Sequence, residues 1–206
     1  MIHSTKNILI VGVGGQGVIL ASNILTEVAL MRGFDVKKNE AHGQSQRSGS
    51  VPSHIRYGKK VHSPIILPGE ADIILSFEEL EGLRWAHYLK SGGKIIINKQ
   101  RIYPTSVTSG VEKYPEDVIS ILKKGEIDVM EIDGMEFANQ MGNPLVISTI
   151  LLGVLSNYLV FSESKWIEMI SKIVPEKHRN INIEAFKLGR KEGRKEGRKE
   201  GRKVKP

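Results

Sequence analysis

The chain has 206 residues, 40% of them hydrophobic and 26% charged, and contains no cysteine. That length suffices for one sizeable domain with its own core. The missing thiols exclude disulfides and any cysteine-ligated zinc or iron–sulfur centre in this chain, and they fit a reducing, cytoplasmic setting. The net charge of +7 is unevenly placed: nine Lys/Arg and three Glu fall in residues 189–206, leaving 21 basic and 20 acidic residues in the remainder, so a basic nucleic-acid-binding face is not indicated.

Residues 7–11 are an apolar, β-branched run typical of a strand buried on both faces. A glycine-rich turn follows, then a helix over residues 18–32 with apolar positions at helical spacing and Gly33 as its stop. Residues 34–38 read as a second strand and residues 50–57 as a third, with Val51, Ser53, Ile55 and Tyr57 on one face and Pro52 marking an edge or a bulge. Strand 71–76, helix 77–90 ended by Ser91-Gly92-Gly93, and strand 94–98 come next. Residues 99–114 are less regular, with a short strand expected. Helix 116–124, strand 127–132, and a helix capped by Asp133 follow. Asn143-Pro144 restarts a helix, with Asn capping and Pro in the first turn. Residues 144–161 are the most apolar stretch, read as a buried helix and not a membrane span. Helices 164–174 and 177–188 complete the body.

This alternation predicts an α/β fold, a Rossmann-like three-layer sandwich with a mostly parallel sheet and a C-terminal helical cluster, over residues 1–188. Residues 189–206 form a Gly-Arg-Lys-Glu repeat. With each Gly costing a helix about 1 kcal/mol relative to Ala, the repeat is expected to be a disordered or frayed, solvated extension contributing nothing to the core. The opening residues show no charged n-region or cleavage site, so no signal peptide is expected.

Two segments carry chemistry. Gly12, Gly14, Gly15, Gln16 and Gly17 form a G-x-G-x-x-G turn between a strand and a helix. Such glycines let backbone approach a ligand, and helix N-terminal amides favour a phosphate or carboxylate. An acid about 20 residues on, as dinucleotide binding requires, would have to be Glu40 or Asp35, and neither is cleanly placed. A phosphate-bearing ligand and a tight turn that binds nothing both remain open.

The second segment, residues 40–51, reads Glu-Ala-His-Gly-Gln-Ser-Gln-Arg-Ser-Gly-Ser-Val and follows a strand expected to be buried. That placement puts it at a sheet end, where α/β proteins hold their sites. His42 is a candidate general base, with Glu40 on the same side of an extended strand. A metal at His42 is the weaker reading, because no second His or Cys stands at ligand spacing. Gln46 and Arg47 suit a carboxylate or phosphate. The bland alternative is that these groups satisfy the loop and one another. His54, His62, His87 and His178 read as structural, and Asn98 as either a turn residue or a neighbour of the site.

Taken together, the glycine turn at 12–17, residues 40–51, Val61-His62-Ser63-Pro64, residues 71–78, 94–98 and 143–153 resemble the γ-type domain of the 2-oxoacid:ferredoxin oxidoreductase family, most nearly its indolepyruvate branch. The resemblance covers residues 6–188. One departure is Ser48-Gly49, where the family often has Gly-Gly. The resemblance implies oxidative decarboxylation of a 2-oxoacid, with coenzyme A as acyl acceptor and ferredoxin as electron acceptor. It further implies a large α subunit holding thiamine diphosphate, magnesium and the iron–sulfur clusters, since this chain offers no thiolate for them. Gly14, Gly15, Gln16 and Gly17 would then receive an anionic group, and His42, Gln46 and Arg47 would face a shared cleft. Three rivals stand beside this reading: the γ subunit of a pyruvate, 2-oxoglutarate or ketoisovalerate enzyme, a stand-alone nucleotide-binding module, and a nucleic-acid binder acting through its tail.

Overall fold

A computed structural model describes residues 4–40 and 49–199. Six strands, β1 (Lys6–Val13), β2 (Asp35–Glu40), β3 (Ser50–Gly58), β4 (Ala71–Ser76), β5 (Leu89–Asn98) and β6 (Asp128–Ile132), pair in the order β2-β3-β1-β4-β5-β6. β1, β4, β5 and β6 are mutually parallel, while β3 is antiparallel to both β1 and β2. Five strands therefore end at one edge of the sheet and only β3 runs back.

Alternation along β1 explains the layers. Ile8 and Ile10 join one core with α1 (Val18–Met31), α6 (Ile147–Ser156), α7 (Glu163–Ile173) and α8 (Arg179–Lys199). Leu9 and Val11 join the other core, with α4 (Val118–Lys124) and the apolar face of α2 (Glu79–Trp85). Both cores exist because β1 and β4 carry apolar residues at successive positions, each pointing to the opposite face. Asp133 and Asn143 cap as expected: Asp133 accepts from the Glu136 amide that opens α5 (Gly134–Gln140), and Asn143 accepts from Leu145 before a short 3-10 turn that leads into α6. All ten residues of α6 are buried, so it is an internal helix, and among the described residues no helix is long and apolar enough to cross a membrane.

Several expectations are corrected. Pro52 lies in an internal strand, paired with Val11. The Val11 carbonyl accepts from Phe77, on the β4 side, so Val11 faces away from β3 and Pro52 faces away from β1. The missing Pro N–H therefore takes no bond from the β1–β3 ladder. Ser91-Gly92-Gly93 belongs to β5, which begins at Leu89 with an irregular register against β4. The expected strand in residues 99–114 is replaced by a single turn, α3 (Thr105–Thr108). β2 is an edge strand with no fully buried residue, not a buried one.

The largest correction concerns the repeat. α8 continues through it to Lys199. Gly189 sits so close to α6 that a Cβ there would lie 1.9 Å from the Ile150 carbonyl oxygen, and one on Gly153 would lie 2.2 Å from the Phe186 oxygen. Four-residue spacing keeps Gly189 and Gly193 near one helix face, and both are buried. Backbone contact at these glycines, together with hydrogen bonds from Asn157 Nδ2 to the Arg190 carbonyl (3.0 Å) and from Arg190 to Ser156 Oγ (2.8 Å), outweighs their poor helix propensity.

Candidate functional site

β1 delivers the chain to the glycine turn at the carboxyl edge, beside the point where the strand order reverses direction about β1. Gly12 and Gly17 are required by packing. A Cβ on Gly12 would stand 2.8 Å from Val18 Cγ2, and one on Gly17, whose φ is +87°, would stand 2.9 Å from Ser148 Cβ. Gly15 has φ +96° and open space around it. The Gln16 side chain folds back into the turn: its Oε1 accepts from the Val13 amide at 2.7 Å, and its Nε2 donates to the Phe77 carbonyl (3.0 Å) and to Gln100 Oε1 (3.1 Å). Its amide thus rivets the turn to the end of β4, leaving backbone to meet a ligand.

α1 starts at Gly17 without a side-chain cap. Gly15, Gln16 and Gly17 line a cleft of about 380 Å³ whose other walls include Leu20, Met135, Leu145 and Ser148. One wall is backbone and hydroxyl, the other apolar, and Leu145 is 81% exposed at its rim. Such a cleft suits a ligand with an anionic end and an uncharged body.

The polar run reaches the same edge, because it connects the carboxyl end of β2 to the start of β3. Both of its stems are fastened. Glu40 accepts from Ser22 Oγ of α1 at 2.6 Å and pairs with Lys38 Nζ at 2.9 Å. The Gly49 carbonyl accepts from the Gly14 amide at 3.0 Å, joining the polar run directly to the glycine turn. Ser50 donates to Glu81, which is also held by Arg84 at 2.7 Å, and receives the Trp85 indole N–H at 3.2 Å. His42, Gln46, Arg47 and Ser48 lie outside the described residues.

Asn98 is not a turn residue but a buried neighbour of the cleft residue Gln100. It is fully buried, donates to Phe77 O (3.1 Å) and Gln100 Oε1 (3.2 Å), and accepts from the Gly134 amide at 2.9 Å, tying β4, β5 and α5 together behind the cleft. Glu78 caps α2 and accepts from the Tyr114 hydroxyl at 2.6 Å; burial raises its carboxyl despite that hydrogen bond. His54 accepts from Ile66 N–H on Nδ1 at 3.2 Å, which puts its proton on Nε2, and burial lowers its pKa. Gln100, Ser148 and Glu81 escaped sequence reasoning. They come from distant segments with no shared spacing, and the only signal was the polar Ser148 within an apolar helix.

A sequence profile described as pyruvate ferredoxin/flavodoxin oxidoreductase matches residues 7–192. The chain belongs to the pyruvate ferredoxin/flavodoxin oxidoreductase family. Similar members of this oxidoreductase family include the indolepyruvate oxidoreductase subunit IorB of Thermococcus kodakarensis, 40% identical over 90% of this chain and 94% of that one. The subunit of the same name from Archaeoglobus fulgidus is 36% identical, covering 89% of this chain and 92% of the relative. The γ subunit of the keto/oxoacid ferredoxin oxidoreductase of Geobacter sulfurreducens shares the family fold, with a TM-score of 0.70, 21% identity, and coverage of 92% and 99%. A domain of the 2-oxoglutarate:ferredoxin oxidoreductase of Magnetococcus marinus does so too, at a TM-score of 0.72 and 17% identity over 93% of this chain and 31% of that one.

The resemblance implies thiamine diphosphate and iron–sulfur clusters for the whole enzyme. The residues of this chain do not fit a cluster, since there is no cysteine in it. Among the described residues no three His, Asp or Glu side chains gather as a metal site.

Proposed function

We propose that this chain is the small, cluster-free subunit of a cytoplasmic indolepyruvate:ferredoxin oxidoreductase, completing the substrate and coenzyme A side of a site whose thiamine diphosphate, magnesium and iron–sulfur clusters sit on a large α subunit. The observation that carries this reading is the Gly14–Gly49 hydrogen bond. It locks the glycine turn and the polar run together at one edge, beside a cleft with an uncapped helix start. The full-length relatives at 36–40% identity supply the substrate class.

In this reading the backbone of Gly14, Gly15, Gln16 and Gly17 receives an anionic group, a phosphate or carboxylate, in keeping with the charge preference of helix N-termini. Leu20, Met135 and Leu145 exclude water along the uncharged part of the ligand. Glu40 and Ser50 hold the two stems between which the candidates His42, Gln46 and Arg47 lie in sequence. His42 and Arg47 remain the candidates for proton and anion contacts. The alternative, a γ-type subunit for another 2-oxoacid, is favoured by the 28% identity to the 2-oxoglutarate synthase subunit KorC of Methanothermobacter marburgensis.

Co-expression with the thiamine-binding partner, followed by ferredoxin reduction with indolepyruvate, phenylpyruvate, 2-oxoglutarate and pyruvate, decides between the two. Aryl substrates are expected to show the highest kcat/KM, and a preference for 2-oxoglutarate or pyruvate would reject the indolepyruvate assignment. Arg47→Ala should lower kcat/KM at least tenfold, with assembly intact by size-exclusion chromatography. Unchanged turnover would remove Arg47 from the site.

A further inference from the structure

α6 is apolar and wholly buried, yet it carries three hydroxyls. Two of them are satisfied within the fold: Thr149 donates to Asn182 Oδ1 at 2.6 Å, and Ser156 donates to the Gly153 carbonyl at 2.6 Å. The third belongs to Ser148, which is only 2% exposed and lines the cleft at the glycine turn. Among the described residues its hydroxyl has no hydrogen-bond partner. Packing does not call for that oxygen. A Cβ on Gly17 would stand 2.9 Å from Ser148 Cβ, so the position needs a small residue, and alanine would serve Gly17 as well. A buried polar group left without a partner in the fold is a donor kept for something else.

The start of α1 brings further donors to the same place. Its first intrahelical bond runs from the Ala21 amide to the Gly17 carbonyl at 3.0 Å, so the amides of Val18, Ile19 and Leu20 precede it. Gly17 supplies no cap, and no acidic side chain stands in the first turn to compete for these amides. Ser148 Oγ lies 3.1 Å from where a Gly17 Cβ would be, which puts the hydroxyl beside the residue at which α1 begins. With 14 residues, α1 directs the positive end of its dipole there. The described residues lining the cleft include no Lys or Arg, so its donors are neutral: backbone amides from one helix and a hydroxyl from another.

We propose that Ser148 is an anion-binding residue of this cleft, and that the group it shares with the α1 start is the tetrahedral phosphate of a small molecule and not a carboxylate. The inference rests on the reading of the glycine turn as the element that receives an anion. A carboxylate presents two oxygens in one plane, and the amides at a single helix start suffice for both. A phosphate presents three terminal oxygens, so one of them meets the hydroxyl that α6 contributes. Its larger charge suits a helix start, where amides and dipole together hold phosphate without a cationic side chain. Ser148 thereby divides the substrates: the phosphate-bearing one is held here, and the carboxylate of the 2-oxoacid is held elsewhere.

Titration of the isotope-labelled full-length chain with inorganic phosphate, followed by NMR, tests this, with acetate in parallel. Phosphate is expected to shift the Val18, Ile19 and Leu20 amides and to bind more tightly than acetate. Ser148→Ala should weaken phosphate about tenfold, the loss of one hydrogen bond to a charged group, and leave acetate within twofold. In the co-expressed complex the same variant should raise KM for coenzyme A, the phosphate-bearing substrate, by a similar factor, with KM for the 2-oxoacid within twofold of wild type. Should Ser148→Ala melt below wild type by circular dichroism, Ser148→Cys, similar in shape and a weak donor, replaces it with the same expectation. Phosphate affinity within twofold of wild type in the folded variant would remove Ser148 from the site and leave the anion reading of the turn standing. Acetate binding to wild type as tightly as phosphate would overturn the choice of phosphate. A wild-type chain that binds neither would overturn this inference and the reading of the turn together.

Discussion

Gly17 meets two demands at once, a φ of +87° and a Cβ position 2.9 Å from Ser148. A non-glycine residue in that backbone region costs roughly 1–2 kcal/mol before any clash is counted. Gly17→Ala is therefore expected to destabilise the chain by about 2 kcal/mol and to raise the KM of the assembled enzyme more than it lowers kcat. Gly15→Ala, in open space, should lose only the conformational part. Equal stability for the two variants in urea titrations would contradict the role of Ser148. At the amino edge, Asp72 lies beneath Lys6 (3.0 Å) and Lys90 and accepts from the Asn7 amide at 2.8 Å. Burial alone would raise its carboxyl, but the hydrogen bonds from Lys90, Asn7 and Lys6 together hold it below the usual range. A depressed carboxylate stabilises the fold above its unfolded pKa, near 4, and that contribution is lost as pH falls through the folded value. Asp72→Asn should cost about 1–3 kcal/mol at pH 7, with the gap to wild type closing below about pH 4. A gap independent of pH would deny the ionic origin.

At the scale of elements, α6 and α8 run parallel, as the sequential contacts Thr149–Asn182, Gly153–Arg190 and Asn157–Arg194 require. Their closeness depends on glycine. Gly189→Val should destabilise by about 3 kcal/mol or more through overpacking, while Lys191→Ala, at an exposed position, should stay within about 0.5 kcal/mol. If both variants melted like wild type, the repeat would not be docked on α6. The propensity reading of residues 189–199 failed because it counted what glycine costs an isolated helix and omitted what a glycine face gains against a second backbone. The signal was present in the sequence: glycines every four residues in the tail, and Gly153 within an apolar helix.

At the scale of the whole molecule, the cleft and the stems of residues 41–48 lie at one sheet edge, and in the proposed complex that edge meets the large subunit. The chain expressed alone is expected to contain no iron, and the co-purified complex to carry all of it on the large subunit. Iron bound stoichiometrically by the small chain alone, measured by elemental analysis, would contradict that division. The cysteine-free composition by itself sets this expectation, because a thiolate ligand is a matter of residue type and not of geometry.

Strand and helix identity over most of the body, the Asp133 and Asn143 caps and the glycine turn were legible in sequence, since periodicity, capping chemistry and backbone freedom act over a few residues. The positions of Glu40, Gln16 and Asn98 were not. Glu40 is held by Ser22 and Lys38, Gln16 by Phe77 and Gln100, and Asn98 by segments 21 and 36 residues away. Whether a polar side chain meets a ligand or braces the fold depends on partners that only the folded chain brings within hydrogen-bond reach. The reversal of β3, which delivers both stems of residues 41–48 to the glycine turn, was likewise decided by tertiary structure, because strand direction depends on which neighbours complete the sheet. Sequence alone determined that this chain has a glycine turn and a polar run and no thiolate. The fold decided that the turn and the stems of the run share one edge, and that a tail read as solvated packs its glycines against α6.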